Sequence, residues 1–511
     1  MDDNLALNLI STAEAHPEQP AIRHDGGVIA YATLAEWSAR AAEMLRRQGL
    51  VDGDRVALML PNVPEFAAAL YGAFRAGVVA VPMNVLLKRR EVAYQLRDSG
   101  ARFILAWHGF VDEAEAGAQQ AGVGCVTVHP EEFARLPDAS SPDLAVVTRS
   151  GDDTAVLLYT SGTTGVPKGA ELSHFNLVRN AQVFGRMLDF TPQDVLFSAL
   201  PLFHAFGQTC GLHASIVSGS CVTLMPRFDP GLVLEGIEQK RATVFLGVPT
   251  MYAALASHPR RAEFDVSSLR LCVSGGAALP VEVLRAFEAE FRCVILEGYG
   301  LSETSPVASF NHPRRVRKPG SIGTPIEGVE MRLADDLGGE VPAGEVGEIV
   351  IRGHNVMKGY WHLPDATAEA FTPDGWFRSG DLARIDDDGY FFIVDRKKDV
   401  IIRGGFNVYP REVEEVIYEH PAVKECAVIP VPHRELGEEV GAAVVLKPGG
   451  AATAGEIREF VKERIAAFKY PRHVWFLAEL PKGASGKILK REIEIPAAAR
   501  QPASPAGGSG R

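Results

Sequence analysis

Cysteine is scarce in this 511-residue sequence, and the six that occur (Cys125, Cys210, Cys221, Cys272, Cys293 and Cys426) include no CxxC pair. That scatter excludes a disulfide scaffold, shows no metal cage, and reads as a reduced intracellular protein with mostly buried thiols. Long apolar runs are also missing. The longest, residues 66–82, is broken by Gly72 and Arg75, and the acidic start MDDNLALNLISTAEAHPEQP has neither the basic residues nor the apolar stretch of a signal peptide. The expectation is a soluble, cytoplasmic protein without stable membrane insertion. Positive charge is not in surplus: 52 basic against 64 acidic side chains leave a formal net charge of −12, which argues against general nucleic-acid binding. No internal repeat is visible.

What is present is enough chain for two to four domains or subdomains, each able to bury a core. The charge is unevenly spread: residues 1–395 carry 33 Lys+Arg against 49 Asp+Glu, whereas residues 396–511 carry 19 against 15. A large acidic body thus precedes a small basic piece, suited to meeting an anionic ligand held by its neighbour. The polar run DRKKD (395–399) supports a boundary there. The expected domains are 1–395, a mobile 396–495, and a low-complexity tail, 496–511, expected to be disordered.

Helical spacing alternates with short β-branched runs from residue 33 to 106: helix 33–48, strand RVALML (55–60), helix 64–76, strand VVAVP (78–82), helix 88–98 and strand RFILA (102–106). Strands return at AVLLYT (155–160), VTLM (222–225), TVFLGV (243–248), LRLCVSGG (269–276) and CVILEGYG (293–300). Strands separated by helices mean βαβ units, so the fold class is α/β with doubly wound subdomains, whose ligands sit at the carboxyl ends of strands. After about residue 320, short strands with Gly and Pro turns predict a small β-barrel-like unit. Beyond 395, a Pro-started helix (410–420), strands at 427–431 and 442–447, and a helix at 455–467 predict a small α+β domain.

The segment YTSGTTGVPKG (159–169) is a strand ending in a loop of glycines, hydroxyls and one lysine. Gly162 and Gly165 let backbone N–H groups wrap an anion, Thr160, Ser161, Thr163 and Thr164 offer hydroxyl donors, and Lys168 adds a charge. This is a triphosphate cradle or, read alone, a polar surface turn. It is not GxxxxGK[ST], because Pro167 stands where the second glycine is required. EGYGLSE (297–303) also fails GxGxxG, with Glu303 at the third glycine, which disfavours a dinucleotide fold.

The cradle closely resembles the phosphate-binding signature of the adenylate-forming superfamily that contains acyl-CoA synthetases, aryl-CoA ligases, luciferases and peptide-synthetase adenylation domains. The resemblance continues in order through PLFHAFGQ (201–208), SGGAALP (274–280), EGYGLSET (297–304), GEIVIRG (347–353), WFRSGD (376–381), DRKKDVIIRGGFNVYPREVE (395–414) and PKGASGKILK (481–490). It implies an enzyme using ATP, Mg2+ and coenzyme A. By the same resemblance, Tyr299 packs on adenine, and Glu297, Gly298 and the Gly276–Ala277 segment line the base. Glu303, with the Ser302 hydroxyl beside it, holds the magnesium, as suits a hard cation that takes carboxylate and phosphate oxygens. Asp381 accepts the ribose hydroxyls, Arg396 lies near ribose and phosphate, and Lys398 is the hinge. Lys487 reaches the carboxylate and α-phosphate, and Gly404 and Gly405 border the pantetheine channel. Ser302, Gly483 and Lys490 stand where the family more often has Thr, Thr and Arg.

The acid is read from departures. Amino-acid-adenylating relatives carry Phe-Asp where this chain has Phe203–His204, and His204 cannot supply that charge. Malonate-activating relatives tend to have arginine at the place of Gly298. The remaining expected lining, Phe206, Val248, Thr250, Met251, Ala277 and Val307, is mostly apolar, with His204 beside the carboxylate. These features imply a medium- or long-chain fatty acid, with an aryl or cinnamate-type acid as the alternative. Lower alternatives are an acyl-AMP ligase loading a carrier protein and a non-catalytic nucleotide-binding module.

Overall fold

The computed structural model describes residues 4–135, 145–160, 166–342 and 344–499. Two large sheets and a smaller one precede the expected boundary. In the first, the parallel strands Ile295–Gly300, Leu271–Ser274, Val244–Gly247, Val195–Ser198 and Cys221–Leu224 lie side by side in that order. Their residues are rich in Val, Leu, Ile and Phe and buried on both faces, as parallel strands covered by helices must be. Val307–Phe310 adds an antiparallel strand beside Ile295–Gly300, pairing Phe310 with Gly298.

The second sheet has parallel strands Thr154–Thr160, Val79–Pro82, Arg55–Met59, Phe103–Trp107 and Gly124–Val128, with Lys168–Ser173 and Gly359–Tyr360 antiparallel at one edge. The apolar stretch 66–82 resolves into the wholly buried helix Pro64–Arg75 and the buried strand Val79–Pro82. Gly72 is required there: a Cβ would lie 2.5 Å from the Ala41 Cβ of helix Tyr31–Arg47, so the two helices pack at backbone distance. Among the described residues no helix is long and apolar enough to cross a membrane.

The β unit after residue 320 is a four-stranded antiparallel sheet in the order Val329–Ala334, Gly347–Gly353, Phe377–Ile385, Phe391–Arg396. Asp381 and Arg396 are cross-strand partners in it. Arg396 therefore still belongs to the large domain, and the chain breaks away one residue later than expected, in the turn 397–399.

The C-terminal unit has its own core of Ile401, Val413, Ile417, Val440, Val444 and Ile457 between a five-stranded sheet and helices Pro410–Tyr418 and Ala454–Lys462. Thr453 caps the second helix in a box with Glu456. That helix ends five residues short of the expected 467. The expected tail also starts inside the fold: Ala497–Ala499 form a 3-10 turn with Ala499 buried, and residues 500–511 lie outside the described residues. The two domains touch directly. The Glu415 carboxylate accepts from the Val281 N–H at 3.3 Å, at the start of helix Val281–Phe291, and Arg411 donates to Gly320 O at 3.4 Å.

Candidate active site

Three groups of side chains converge where the two large sheets, the small sheet and the C-terminal domain meet. The first surrounds Glu303, in the short turn Ser302–Thr304 that follows strand Ile295–Gly300. Its backbone carbonyl accepts from Met357 N at 2.9 Å. One carboxylate oxygen, Oε1, accepts from Tyr360 Oη at 2.9 Å and Thr160 Oγ1 at 3.3 Å. The Lys168 ammonium lies 5.1 Å from the Tyr360 ring centroid. Tyr360 thus touches both charge carriers of this corner, and burial together with the Glu303 carboxylate raises its phenol, keeping it a donor. Ser161, Gly162, Thr163, Thr164 and Gly165 of the expected cradle lie outside the described residues.

The second group is built on alternation along Ile295–Gly300. Glu297 and Tyr299 point to one face, Gly298 and Gly300 to the other. Tyr299 donates to Asp381 Oδ2 at 2.6 Å, while the Arg396 guanidinium meets Asp381 Oδ1 at 3.2 Å. Asp381 is only 5% exposed, and burial raises its carboxyl despite the attraction of Arg396. Glu297 is buried as well. Its Oε1 accepts from Leu279 N at 3.2 Å, its Oε2 has no hydrogen-bond partner among the described residues, and burial pushes its carboxyl up to about 7. An orphaned acceptor beside an aromatic ring and a buried carboxylate fits a nucleotide, whose base offers an amino group and whose sugar offers a diol.

The third group is brought by the C-terminal domain. The loop of Gly483–Lys487 closes on itself through Gly483 N to Lys487 O, 2.9 Å, and is pinned to the large domain by Thr250 Oγ1 donating to Gly486 O at 2.8 Å. Gly486 sits at φ +80°, a conformation L side chains rarely adopt, and a Cβ there would crowd Val248 Cγ2 at 3.0 Å. Lys487 lies over Gly276: a Cβ on that glycine would be 3.5 Å from the ammonium nitrogen. Burial pulls the Lys487 amine down to about 8, and Arg396 pulls the same way, while Asp381 and Glu303 oppose them. His204 also feels Lys487; desolvation and that charge drop its imidazole to about 3, so it is neutral, with Nδ1 accepting from Phe206 N at 3.3 Å.

Most residues expected from sequence therefore converge: Thr160, Lys168, Gly276, Glu297, Tyr299, Glu303, Asp381, Arg396, His204 and Lys487; Gly298, expected to line the base, lies instead on the opposite face of its strand, against the Phe310 ring, because side chains alternate along the strand. Ser302 opens the turn that carries Glu303, and Ala277 is exposed beside Gly276. Lys398 stands exposed in the turn 397–399, between the domains. Gly404 and Gly405, both at positive φ, turn a hairpin of the C-terminal domain against Leu436. Tyr360 was missed by sequence reasoning. No local signal marked it: the two-residue strand Gly359–Tyr360 reaches the end of the cradle only by pairing with the distant strand Lys168–Ser173.

A cleft that pairs a nucleotide-shaped acceptor set with a lysine delivered by a second domain is the cleft of an adenylate-forming enzyme. The comparisons agree: residues 9–361 match the AMP-binding enzyme family and residues 412–487 its AMP-binding enzyme C-terminal domain, and the chain belongs to that family. Within it the chain is an AMP-forming acid–CoA ligase. It is 42% identical over 488 residues to a feruloyl-CoA synthase of Amycolatopsis sp, covering 95% of this chain and 97% of that one. It is 37% identical over 521 residues to a long-chain-fatty-acid–CoA ligase of Bacillus subtilis (strain 168), covering 95% and 93%. Among solved structures, ATP-bound MatB from Rhodopseudomonas palustris superposes with a TM-score of 0.90 at 36% identity, covering 96% and 98%; its apo form, with the same identity and coverage, gives 0.81.

Proposed function

We propose that this ligase activates a monocarboxylic acid with an apolar tail, a medium- or long-chain fatty acid, to acyl-AMP and then transfers the acyl group to coenzyme A. The observation that carries this reading is the neighbourhood of the Lys487 ammonium: Val248 and Met251 flank its loop, Phe206 packs on Gly275, His204 is neutral, and Gly298 faces the Phe310 ring. Nothing in that set offers a charge to pair an α-ammonium or a second carboxylate. Burying an apolar tail contributes about 0.8 kcal/mol per methylene, so neighbouring chain lengths should be tolerated.

In this reading Glu297 and Tyr299 hold the base, Asp381 the ribose, and Lys168 and Thr160 the phosphates. Glu303 fits a magnesium ion: Oε1 is fixed by two hydroxyls and Oε2 is left for a hard cation, with Ser302 adjacent. Such an ion, when bound, neutralises phosphate charge. A carboxylate oxygen of the acid attacks the α-phosphorus and pyrophosphate leaves. Lys487 opposes the negative charge that develops there, the role of a preorganised donor in a water-poor site. The thiol of coenzyme A then attacks the acyl carbon and AMP leaves, with Lys398 as the pivot and Gly404–Gly405 beside the incoming pantetheine.

A second reading, an aryl-propenoic acid, is favoured by the two rings, Phe206 and Phe310, and by the feruloyl-CoA synthase relative. A panel of straight-chain, aryl, amino and dicarboxylic acids in ATP–pyrophosphate exchange, followed by AMP release with and without coenzyme A, tests both. Exchange led by octanoate to palmitate supports the first; exchange led by malonate or an amino acid, or no thioester, refutes both.

A further inference from the structure

Side chains alternate along strand Thr154–Thr160, so Thr160 meets Glu303 on one face while Tyr159 points to the other, toward helix Arg89–Ser99. Tyr159 Oη donates to Asp98 Oδ2 of that helix at 2.6 Å, and burial together with the carboxylate raises the phenol, which keeps it a donor. One helical turn earlier, Tyr94 Oη donates to Pro167 O at 2.8 Å, the carbonyl bonded to Lys168 N. The Tyr94 and Tyr159 rings meet edge to face, centroids 6.4 Å apart. Tyr94 and Asp98, four residues apart, share one side of the helix, whereas its buried packing is supplied by Val92, Ala93 and Leu96. Across the hairpin, Thr160 pairs with Lys168 and Tyr159 with Gly169, whose Cβ would lie 3.3 Å from Tyr159 Cζ. One side of a helix that never enters the cleft thus holds the residue before Thr160 and the residue before Lys168.

We propose that Tyr94 and Asp98 are positioning residues for ATP: from behind the sheet they fix the backbone on either side of the phosphate cradle and so aim the Thr160 hydroxyl and the Lys168 ammonium. This rests on the reading above that Thr160 and Lys168 hold the phosphates. An anchored neighbour leaves each of these two groups little freedom about its own backbone. Without the anchors, ATP must order both ends as it binds, and the cost of that ordering falls on KM for magnesium-ATP. The acid, met by Lys487 on the other domain, does not share the cost. Losing one hydrogen bond of ordinary strength corresponds to about three- to tenfold.

The test compares wild type, Tyr94→Phe, Asp98→Ala, Asp98→Asn, Lys168→Ala and the Tyr94→Phe, Lys168→Ala double variant in ATP–pyrophosphate exchange with the best acid. Tyr94→Phe is expected to raise KM for magnesium-ATP about fivefold, with kcat and KM for the acid within about twofold of wild type. Asp98→Ala should cost at least as much, and Asp98→Asn, which keeps an acceptor for Tyr159 Oη, should return to within about twofold. Lys168→Ala should itself raise KM for magnesium-ATP, and in that background the added effect of Tyr94→Phe should fall below about twofold, because the group it aims is gone. Should Asp98→Ala unfold the protein, Tyr94→Phe, which loses a single hydroxyl, decides. An unchanged KM for magnesium-ATP in Tyr94→Phe, a parallel rise in both KM values, or a full effect in the Lys168→Ala background overturns the positioning role and leaves the phosphate reading standing. An unchanged KM for magnesium-ATP in Lys168→Ala overturns both.

Discussion

Removing the hydroxyl of Tyr360 is the most informative perturbation of the phosphate corner, because Phe keeps the ring beneath Lys168 and deletes only the donor to Glu303. The hydrogen bond is 2.9 Å to a carboxylate that is 8% exposed. Hydrogen bonds to charged groups are worth about 1.5–3 kcal/mol. Thr160 still donates to the same oxygen from 3.3 Å, so the low end applies: about 1.5 kcal/mol, or roughly tenfold. The loss falls on placing Glu303 rather than on the acid. Tyr360→Phe is therefore expected to raise KM for magnesium-ATP about tenfold and the half-saturating Mg2+ concentration in parallel, with KM for the acid unchanged. Calorimetric titration with magnesium-ATP in the absence of acid reads the same shift without turnover. Tyr360→Ala should lose more, since the cation over the ring contributes roughly another 0.5–1 kcal/mol. Magnesium-ATP affinity within twofold of wild type in Tyr360→Phe would refute the claim that this hydroxyl positions Glu303.

Two further outcomes follow from the same geometry. The Lys487 amine, drawn down to about 8, must be protonated to oppose phosphate charge, so kcat/KM for adenylation should fall about tenfold per pH unit above 8; Lys487→Arg, charged throughout, should flatten that limb, and a limb that persists in it assigns the titration elsewhere. Asp381→Asn removes the charge that meets Arg396 at 3.2 Å and Tyr299 at 2.6 Å, and should raise KM for ATP roughly ten- to hundredfold while sparing KM for the acid; an unchanged KM for ATP would exclude Asp381 from the ribose site.

The chemistry-bearing residues were legible because they sit in short motifs at strand ends, where side-chain alternation and glycine loops leave a mark in one dimension. EGYGLSE reads as a site segment at the end of a strand, and in the structure Glu297 and Tyr299 share one face of that strand with Gly298 on the other. What was not legible is what depends on pairing between distant segments. Tyr360 reaches Glu303 only because an edge strand of two residues pairs with Lys168–Ser173. Phe310 closes over Gly298 only through antiparallel register. The charge step at residue 395 placed Arg396 with the C-terminal piece, whereas its cross-strand partner Asp381 keeps it in the small sheet of the large domain. Of the cations in the basic module, Arg411 reaches Gly320 O of the large domain, and Lys487 enters the cleft on a loop that Thr250 holds through Gly486 O.

The most direct measurement is therefore Lys487→Ala assayed in single turnover for each half-reaction separately. Adenylation of the best acid should fall by 10²–10³, the cost of losing one preorganised donor at a developing charge. Thioester formation from supplied acyl-AMP and coenzyme A should stay within about threefold of wild type if, as proposed, the C-terminal domain turns about Lys398 and takes the Gly483–Lys487 loop out of the cleft. Equal loss in both half-reactions would contradict the account.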